Sequence, residues 1–258
     1  MRRATIALTV VLLTLCAAGC SRGGGGGSGS TATTATGAAQ PSPLPRGSEP
    51  VDLDPAQFTS TIDNPWWPMT PGSRWIYREV DLEGTRQRVE VTVTRQTKQI
   101  MGIDARVVHD VVTEDGQLVE DTYDWYAQDA QSNVWYLGED TKEYEDGKVT
   151  TTAGSWQAGV DGAQPGILLP GRPSRGMAYR QEYYKGEAED AGEVLSLDEM
   201  ATVPTGFYQH VLMTKDTTTL EPKLLEYKFY AQGVGPVLAV AVSGGSDRME
   251  LLRFQPGS

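Results

Sequence analysis

The heptad YDWYAQD at 123–129 is written again, nearly unchanged, as YKFYAQG at 227–233, which is 104 positions later. The same offset carries Gly72 onto Gly176, Trp75 onto Tyr179, Gly102 onto Gly206, Val107 onto Val211 and Val134 onto Leu238. It also carries Val91 and Val93 onto Leu195 and Leu197. One offset serving from end to end indicates a unit of about 90 residues folded twice. Such units share a core, so the body reads as one pseudo-symmetric domain.

Each unit reads as strands. RVEVTVT at 88–94 and EDTYDWYAQ at 120–128 alternate with period two, and ARVVHDVVT at 105–113 is β-branched. EDGQ at 114–117, EDGK at 145–148 and SGGSD at 243–247 are hairpin signals, where glycine takes positive φ. Strand follows turn at roughly ten-residue spacing, which predicts an antiparallel meander of about 11–12 strands. A sheet that large curls or closes, so the fold class is all-β: a half-barrel, barrel or sandwich. LDPAQF at 53–58 is the one short helix start. The first repeat, 51–170, carries an insertion at 139–170 that crosses between the halves or caps an open end; the second is 171–258. In the heptad, alternation places Tyr123 and Trp125, then Tyr227 and Phe229, on the core face.

The N-terminus sets location. Arg2 and Arg3 precede an apolar run from Ala4 to Gly19, too short to span a bilayer and suited to a signal peptide over 1–19. It ends in AAGC, Ala17 to Cys20, which resembles the lipobox of bacterial lipoproteins, with Ala17 where leucine is usual. The resemblance implies an acyl-carrying lipid, such as palmitate, on the Cys20 sulfur; the alternative is a secretory peptide cleaved at an A-x-A-like site. The chain has two cysteines, and cleavage removes Cys16. Lipidation of Cys20 then leaves no disulfide and no thiol ligand. Residues 20–50 are a lipidated cysteine followed by a Gly/Ser/Thr/Ala/Pro tether that has little to bury and is expected to be disordered, with a reach of roughly 30 Å. Loss of Arg2 and Arg3 leaves 20 basic residues against 34 acidic, a net charge of −14. That charge excludes nucleic acid as a partner and leaves membrane attachment to the lipid.

The segments IDNPWWPMTPGSRWIY (62–77), DWYAQDAQSNVWYLGEDTKEYEDGK (124–148) and EYKFYAQGVGPV (226–237) resemble a family of exported bacterial β-rich proteins of unknown function. The resemblance covers most of 60–240. It implies export and a β-rich body, and brings no activity or site residues.

Catalytic signatures are few. His109 and His210 do not align at the offset and form no HExxH or His-x-His pair, so no metal site is expected on them. There is no G-x-S-x-G elbow, and the glycine run at 23–27 follows no strand, so no nucleophile, cofactor or phosphate site is indicated. DAQSNVWYLGED at 129–140 has oxygen side chains at alternate positions like a calcium loop, but Val134 stands where glycine is required. Glu139, Asp140, Glu143, Glu145 and Asp146 cluster, as do Glu187, Glu189, Asp190 and Glu193. Both clusters read as solvated hairpin tips. NPWWP at 64–68 cannot belong to a regular central strand. One tryptophan plugs the end of the sheet, or presents an aromatic to sugar or lipid.

These readings give an exported protein, lipid-anchored through Cys20 at the outer membrane face or in the envelope. It is a non-enzymatic module binding an apolar ligand or an envelope protein, with Trp66, Trp67, Trp125 and Phe229 as candidate contacts. The alternative is a carboxylate-dependent hydrolase of envelope glycan. An apolar concavity would mark the first, and two facing acids the second.

Overall fold

The computed structural model describes residues 44–258. Signal peptide, Cys20 and tether to residue 43 lie outside the described residues. The body is all-β, with one 3-10 turn at Pro55–Gln57 capped by the Asp54 side chain. The first half holds β1 (Phe58–Thr59), β2 (Arg74–Val80), β3 (Arg86–Ile100), β4 (Ile103–Glu114), β5 (Gln117–Asp129) and β6 (Val134–Glu145). The insertion supplies β7 (Lys148–Thr151), β8 (Trp156–Gln157) and β9 (Gln164–Leu169). The second half holds β10 (Ala178–Arg180), β11 (Glu182–Tyr183), β12 (Asp190–Val203), β13 (Gly206–Thr218), β14 (Leu225–Ala231), β15 (Gly235–Ser243) and β16 (Arg248–Gln255).

The sheet runs β10-β12-β13-β14-β15-β16-β2-β3-β4-β5-β6-β9-β11, antiparallel throughout. Its two ends, β10 and β11, are one stretch of chain interrupted at Gln181, whose N–H donates to Asp190 O at 2.8 Å. The wall therefore curls into a nearly closed barrel. The sixteen strands exceed the eleven or twelve expected because β1, β7 and β8 lie off the wall and the seam strand is split. The insertion does cross between the halves, since β9 joins β6 to β11.

Turn chemistry sets the hairpins. Met101–Gly102, Asp115–Gly116 and Asp146–Gly147 all have φ between 50° and 80°, the paired left-handed geometry that matches strand twist. Shifted by 104, β3 falls on β12, β4 on β13, β5 on β14 and β6 on β15. Inward residues follow the offset in the middle pair: Asp110 with Thr214, Val112 with Asp216, Asp124 with Lys228, Tyr126 with Tyr230. They do not follow it in β12. Register shifts between Val194 and Ser196, and between Ser196 and Glu199, turn the strand, so Val194 is buried while Leu197, the counterpart of Val93, is 37% exposed.

Two expectations are corrected. The row of the heptad strand that faces the barrel interior is Thr122, Asp124, Tyr126 and Gln128, and in β14 it is Glu226, Lys228 and Tyr230, not the row expected. Trp125 on the other row is nonetheless part of the buried apolar core, with Tyr123 and Phe229 packed against it. Trp125 is buried from outside, with Lys98 Nζ 3.2 Å above its ring. Tether residues 44–50 are not loose. Arg180 N–H donates to Pro45 O at 2.6 Å, and its guanidinium donates to Gly47 O and to Glu49 O at 2.8 Å.

Candidate interior site

The floor of the barrel is aromatic. The 62–70 segment enters it and buries both tryptophans of NPWWP, Trp66 and Trp67. The Asn64 side chain holds this turn, accepting from Trp66 N–H and donating to Ser132 O at 2.9 Å. The Trp67 ring lies 6.4 Å from Trp75, 6.3 Å from Tyr126 and 6.2 Å from Tyr230, so one indole bridges two tyrosines 104 positions apart. The plug reading of NPWWP fits this geometry, with both indoles inside. Phe229 is half-buried on the outer face.

Beyond the floor, the inner wall carries acids. β2, β4 and β5 contribute Glu79, Asp110, Glu120 and Asp124, all buried. β6, β11 and β12 contribute Glu139, Glu182 and Asp190, at 2%, 2% and 3% exposure. Asp216 and Glu226 complete the belt, with Lys228 between them. The solvated-tip reading of the two acidic clusters thus fails for one member of each. Glu139 and Asp190 point inward because strand alternation places them there. Asp140 and Glu193, on the opposite face, stay accessible and pair with Lys142 and Lys215.

The belt falls into two electrostatic halves. In one, Lys228 Nζ lies 2.9 Å from Asp216 and 3.2 Å from Glu226. Asp216 also accepts from Thr214 at 2.8 Å and from Gln181 at 3.1 Å. In the other half, hydrogen bonds are fewer. Tyr136 Oη donates to Asp124 at 2.7 Å, Thr122 to Glu120 at 3.1 Å, and Trp156 Nε1 to Glu182 Oε2 at 2.8 Å. Glu139 Oε2, Glu182 Oε1, Asp110 Oδ1 and Glu79 Oε2 meet no N–H or hydroxyl donor, and Asp190 has the Glu182 carboxyl and the Thr218 hydroxyl beside it. Leaving a buried charge so placed is costly, and neutralisation relieves it.

Protonation follows. Burial pushes Glu120 up to about 8 and Asp124 to about 7. Burial, then the Glu182 charge, raises Glu139; burial, then the Asp190 charge, raises Glu182. Asp190 rises less, to about 6, because burial is opposed by Glu182, Thr218 and Lys228. A proton on Glu182 makes it a donor to Asp190, beside the Thr218 hydroxyl. The pair is a carboxylic acid beside a carboxylate.

The remaining candidates lie elsewhere. His109 Nε2 meets Asp121 at 2.6 Å and stacks on Tyr123 at 4.3 Å, and His210 Nδ1 meets Asp198 at 2.5 Å on an exposed hairpin. In the 129–140 loop, Asp129 accepts from Gln131 N–H, both Asn133 donors and Trp135 Nε1, so its carboxylate is saturated. Among the described residues, no three His, Asp or Glu side chains converge to hold a metal.

No family model matches the chain, and no curated protein matches it. Two solved structures resemble it in shape. One, from Bacteroides fragilis, is described as exported and of YmcC-like fold. It is 13% identical, with 74% of this chain and 99% of that one covered, at a TM-score of 0.41. The other, from Parabacteroides distasonis, is described as a lipoprotein. It is 11% identical, with 74% and 98% covered, at a TM-score of 0.39. Likeness at that level carries no inference about this chain's activity.

Proposed function

We propose that this is an exported lipoprotein, anchored through Cys20, whose two-repeat barrel is a binding module for a polar, hydrogen-bond-donating ligand. The observation that carries the reading is the buried carboxyl cluster of Glu139, Glu182 and Asp190, in which Glu182 and Asp190 hydrogen-bond to each other and Glu139 Oε2 has no partner. Such acceptors recognise donors, and an apolar ligand would leave Glu139 Oε2 unpaired at a cost of about 1–3 kcal/mol. The sequence-based preference for an apolar ligand is therefore replaced by a polar one. Anchoring rests on the AAGC signature and the tether that follows it.

The test is native mass spectrometry of the lipidated chain purified from membranes in detergent. A reproducible adduct, lost on dialysis at low pH and restored from an envelope extract, supports the reading. A bare lipoprotein mass that no polar extract changes would overturn it.

The alternative reading, a carboxylate-dependent hydrolase of envelope glycan, needs two acids flanking a bond; Glu182 and Asp190 instead hydrogen-bond to each other, closer than the roughly 5 Å that a retaining pair keeps. Release of reducing ends from envelope glycan, abolished by Glu182→Gln, would establish it.

A further inference from the structure

We infer that the tip of the β12–β13 hairpin docks on the surface of the bilayer that holds the Cys20 lipid, with Met200 and Phe207 as its apolar contacts. This rests on the anchoring reading above and adds a second point of contact to it. From Met200 to Gln209 the chain reads MATVPTGFYQ and carries no charge, in a protein with 34 acidic and 22 basic residues. Asp198 and Glu199 precede the stretch and His210 follows it. The base of the tip is closed by His210 Nδ1, which meets Asp198 at 2.5 Å.

The register gives the tip two faces. Ala201 pairs with Tyr208 and Val203 with Gly206, and Ala201 and Val203 are buried. Thr202 and Phe207 pair on the opposite face. There Met200 is 66% and Phe207 56% exposed, and Leu197 lower on the strand is exposed too. The hairpin 104 positions earlier, β3–β4, is built differently. Its turn lies against the body: a Cβ on Gly102 would sit 3.1 Å from Pro55 Cγ, and one on Gly159 3.1 Å from Met101 Cγ. It carries Arg95, Lys98, Asp104 and Arg106. Arg106 donates to Ser60 O and to Gln96 O, each at 3.2 Å, and the offset puts His210 in its place. The protein thus packs against one tip and leaves the other uncharged and bare.

Two magnitudes choose a bilayer as the occupant. At their exposures, Leu197, Met200 and Phe207 together present on the order of 300 Å² of surface. A stable protein interface buries roughly 800 Å² per partner, so a second copy would find too little here. A lipid interface needs no matching surface and takes apolar and aromatic side chains a few at a time. The second magnitude is the tether. From Cys20 to Leu44 is 24 residues, and a coil of that composition reaches roughly 27 Å. The described chain begins at the seam, where Arg180 N–H donates to Pro45 O and Arg180 pairs with Ala191. From Ala191 to Thr202 is 11 residues of β12, a span of at most about 36 Å. Reach and span are comparable, the condition under which a tethered second contact has a high effective concentration. The acidic body is repelled by anionic headgroups, so the uncharged tip is the part suited to approach.

The test uses the full lipidated chain reconstituted in phosphatidylcholine vesicles. With Cys16 cleaved off and Cys20 acylated, Thr202→Cys supplies the single free thiol. It takes a nitroxide beside Phe207 and leaves Met200 and Phe207 in place. Leu82→Cys, at an 88% exposed leucine in the β2–β3 turn, is the control. Power saturation in electron paramagnetic resonance compares collision with oxygen, which concentrates in the bilayer, and with a water-soluble nickel chelate. The ratio of oxygen to chelate accessibility should be several times higher at 202 than at 82. Met200→Ser combined with Phe207→Ser, which spares the buried face of the hairpin, should bring the ratio at 202 down to that at 82.

Flotation of the same samples through a density gradient reads the anchor separately. A chain that floats while both labels meet the chelate equally keeps its anchor and overturns the bilayer contact. Dipolar broadening between labels at 202 would mean that a second copy covers the tip, and would overturn it as well. An undiminished ratio after Met200→Ser and Phe207→Ser would remove those side chains as the contact. A chain that does not float has no anchor, and both readings fall together.

Discussion

Asp124 and Lys228 occupy the same inward position of two strands 104 residues apart, and they carry opposite charges. The exchange converts one half of the belt into a neutralised ion cluster and leaves the other as acids. Lys228→Met should therefore be severely destabilising. It strands Asp216 and Glu226 in the core, at a cost of about 3–5 kcal/mol near pH 7.5. The cost should shrink near pH 4.5, because Glu226, raised by burial, takes up a proton there. Urea denaturation of the variant at the two pH values checks this; an equal loss at both would mean that packing, not charge, is what Lys228 supplies.

The belt also makes stability depend on pH in an unusual direction. Glu120 and Asp124 are raised to about 8 and about 7, Asp190 to about 6, and Glu79 and Asp110 well above the usual carboxylate range. A carboxyl with a raised folded pKa stays protonated in the barrel and ionises when the chain unfolds. Its contribution is complete below the unfolded pKa, about 4, and is lost as pH rises through the folded value. The denaturation midpoint should thus fall steadily from pH 5 to pH 8. Surface acids such as Glu90 and Glu250, lowered by their arginine partners against some burial, act oppositely and lower stability below about pH 4. Glu120→Gln should flatten the slope between pH 5 and 8. A midpoint that climbs over that range would contradict the account.

Trp67 should be the costliest indole to lose. Trp67→Ala removes the ring that Trp75, Tyr126 and Tyr230 share, at about 3–5 kcal/mol. Trp125→Ala should cost less, since its ring meets the Lys98 ammonium rather than a cluster of three aromatic rings. Denaturation midpoints of the two variants rank them, and the reverse order would place the structural centre at Trp125 instead.

The fold was legible because its signals are local. The D-G turns, period-two alternation and fixed offset each report backbone geometry without any knowledge of what faces them. The site was not legible because alternation names two faces and hydrophobicity must choose between them. In Tyr123–Asp129 it chooses wrongly. Tyr123 and Trp125 are the more apolar row, yet the inner row is the one with Asp124 and Tyr126, since this barrel puts acids inside. Glu139 and Asp190 were hidden likewise among exposed acids adjacent in sequence. The one available signal was Thr122-x-Asp124-x-Tyr126 against Glu226-x-Lys228-x-Tyr230. There the repeat keeps polar residues on the face that ends in its matching tyrosines. In β12 bulges moved the register, which no offset in the sequence reveals.

The seam is the last place where chemistry and backbone can be separated. β10 and β11 contribute three and two residues to the wall, so the closure there has few ladder bonds. Arg180, 2% exposed, compensates by donating to Pro165 O at 2.8 Å from one side of the seam and to Glu49 O at 2.8 Å in the tether. Gly166 permits the approach, because a Cβ there would lie 2.2 Å from Gln181 O and 2.6 Å from Arg180 O. Both contacts are backbone, so Gly166→Ala must push β9 away from the seam. Arg180→Lys keeps the charge but loses the planar fork that bridges the two sides. Both variants should speed proteolysis at 44–50 and around Gln181 by tenfold or more, a loss of about 1.4 kcal/mol or greater in local opening. Strands β16, β2 and β3, in the middle of the strand order and farthest from the seam, should keep wild-type hydrogen-exchange protection. If exchange instead quickens uniformly across the barrel, the seam is not a separate unit and the closure belongs to the global fold.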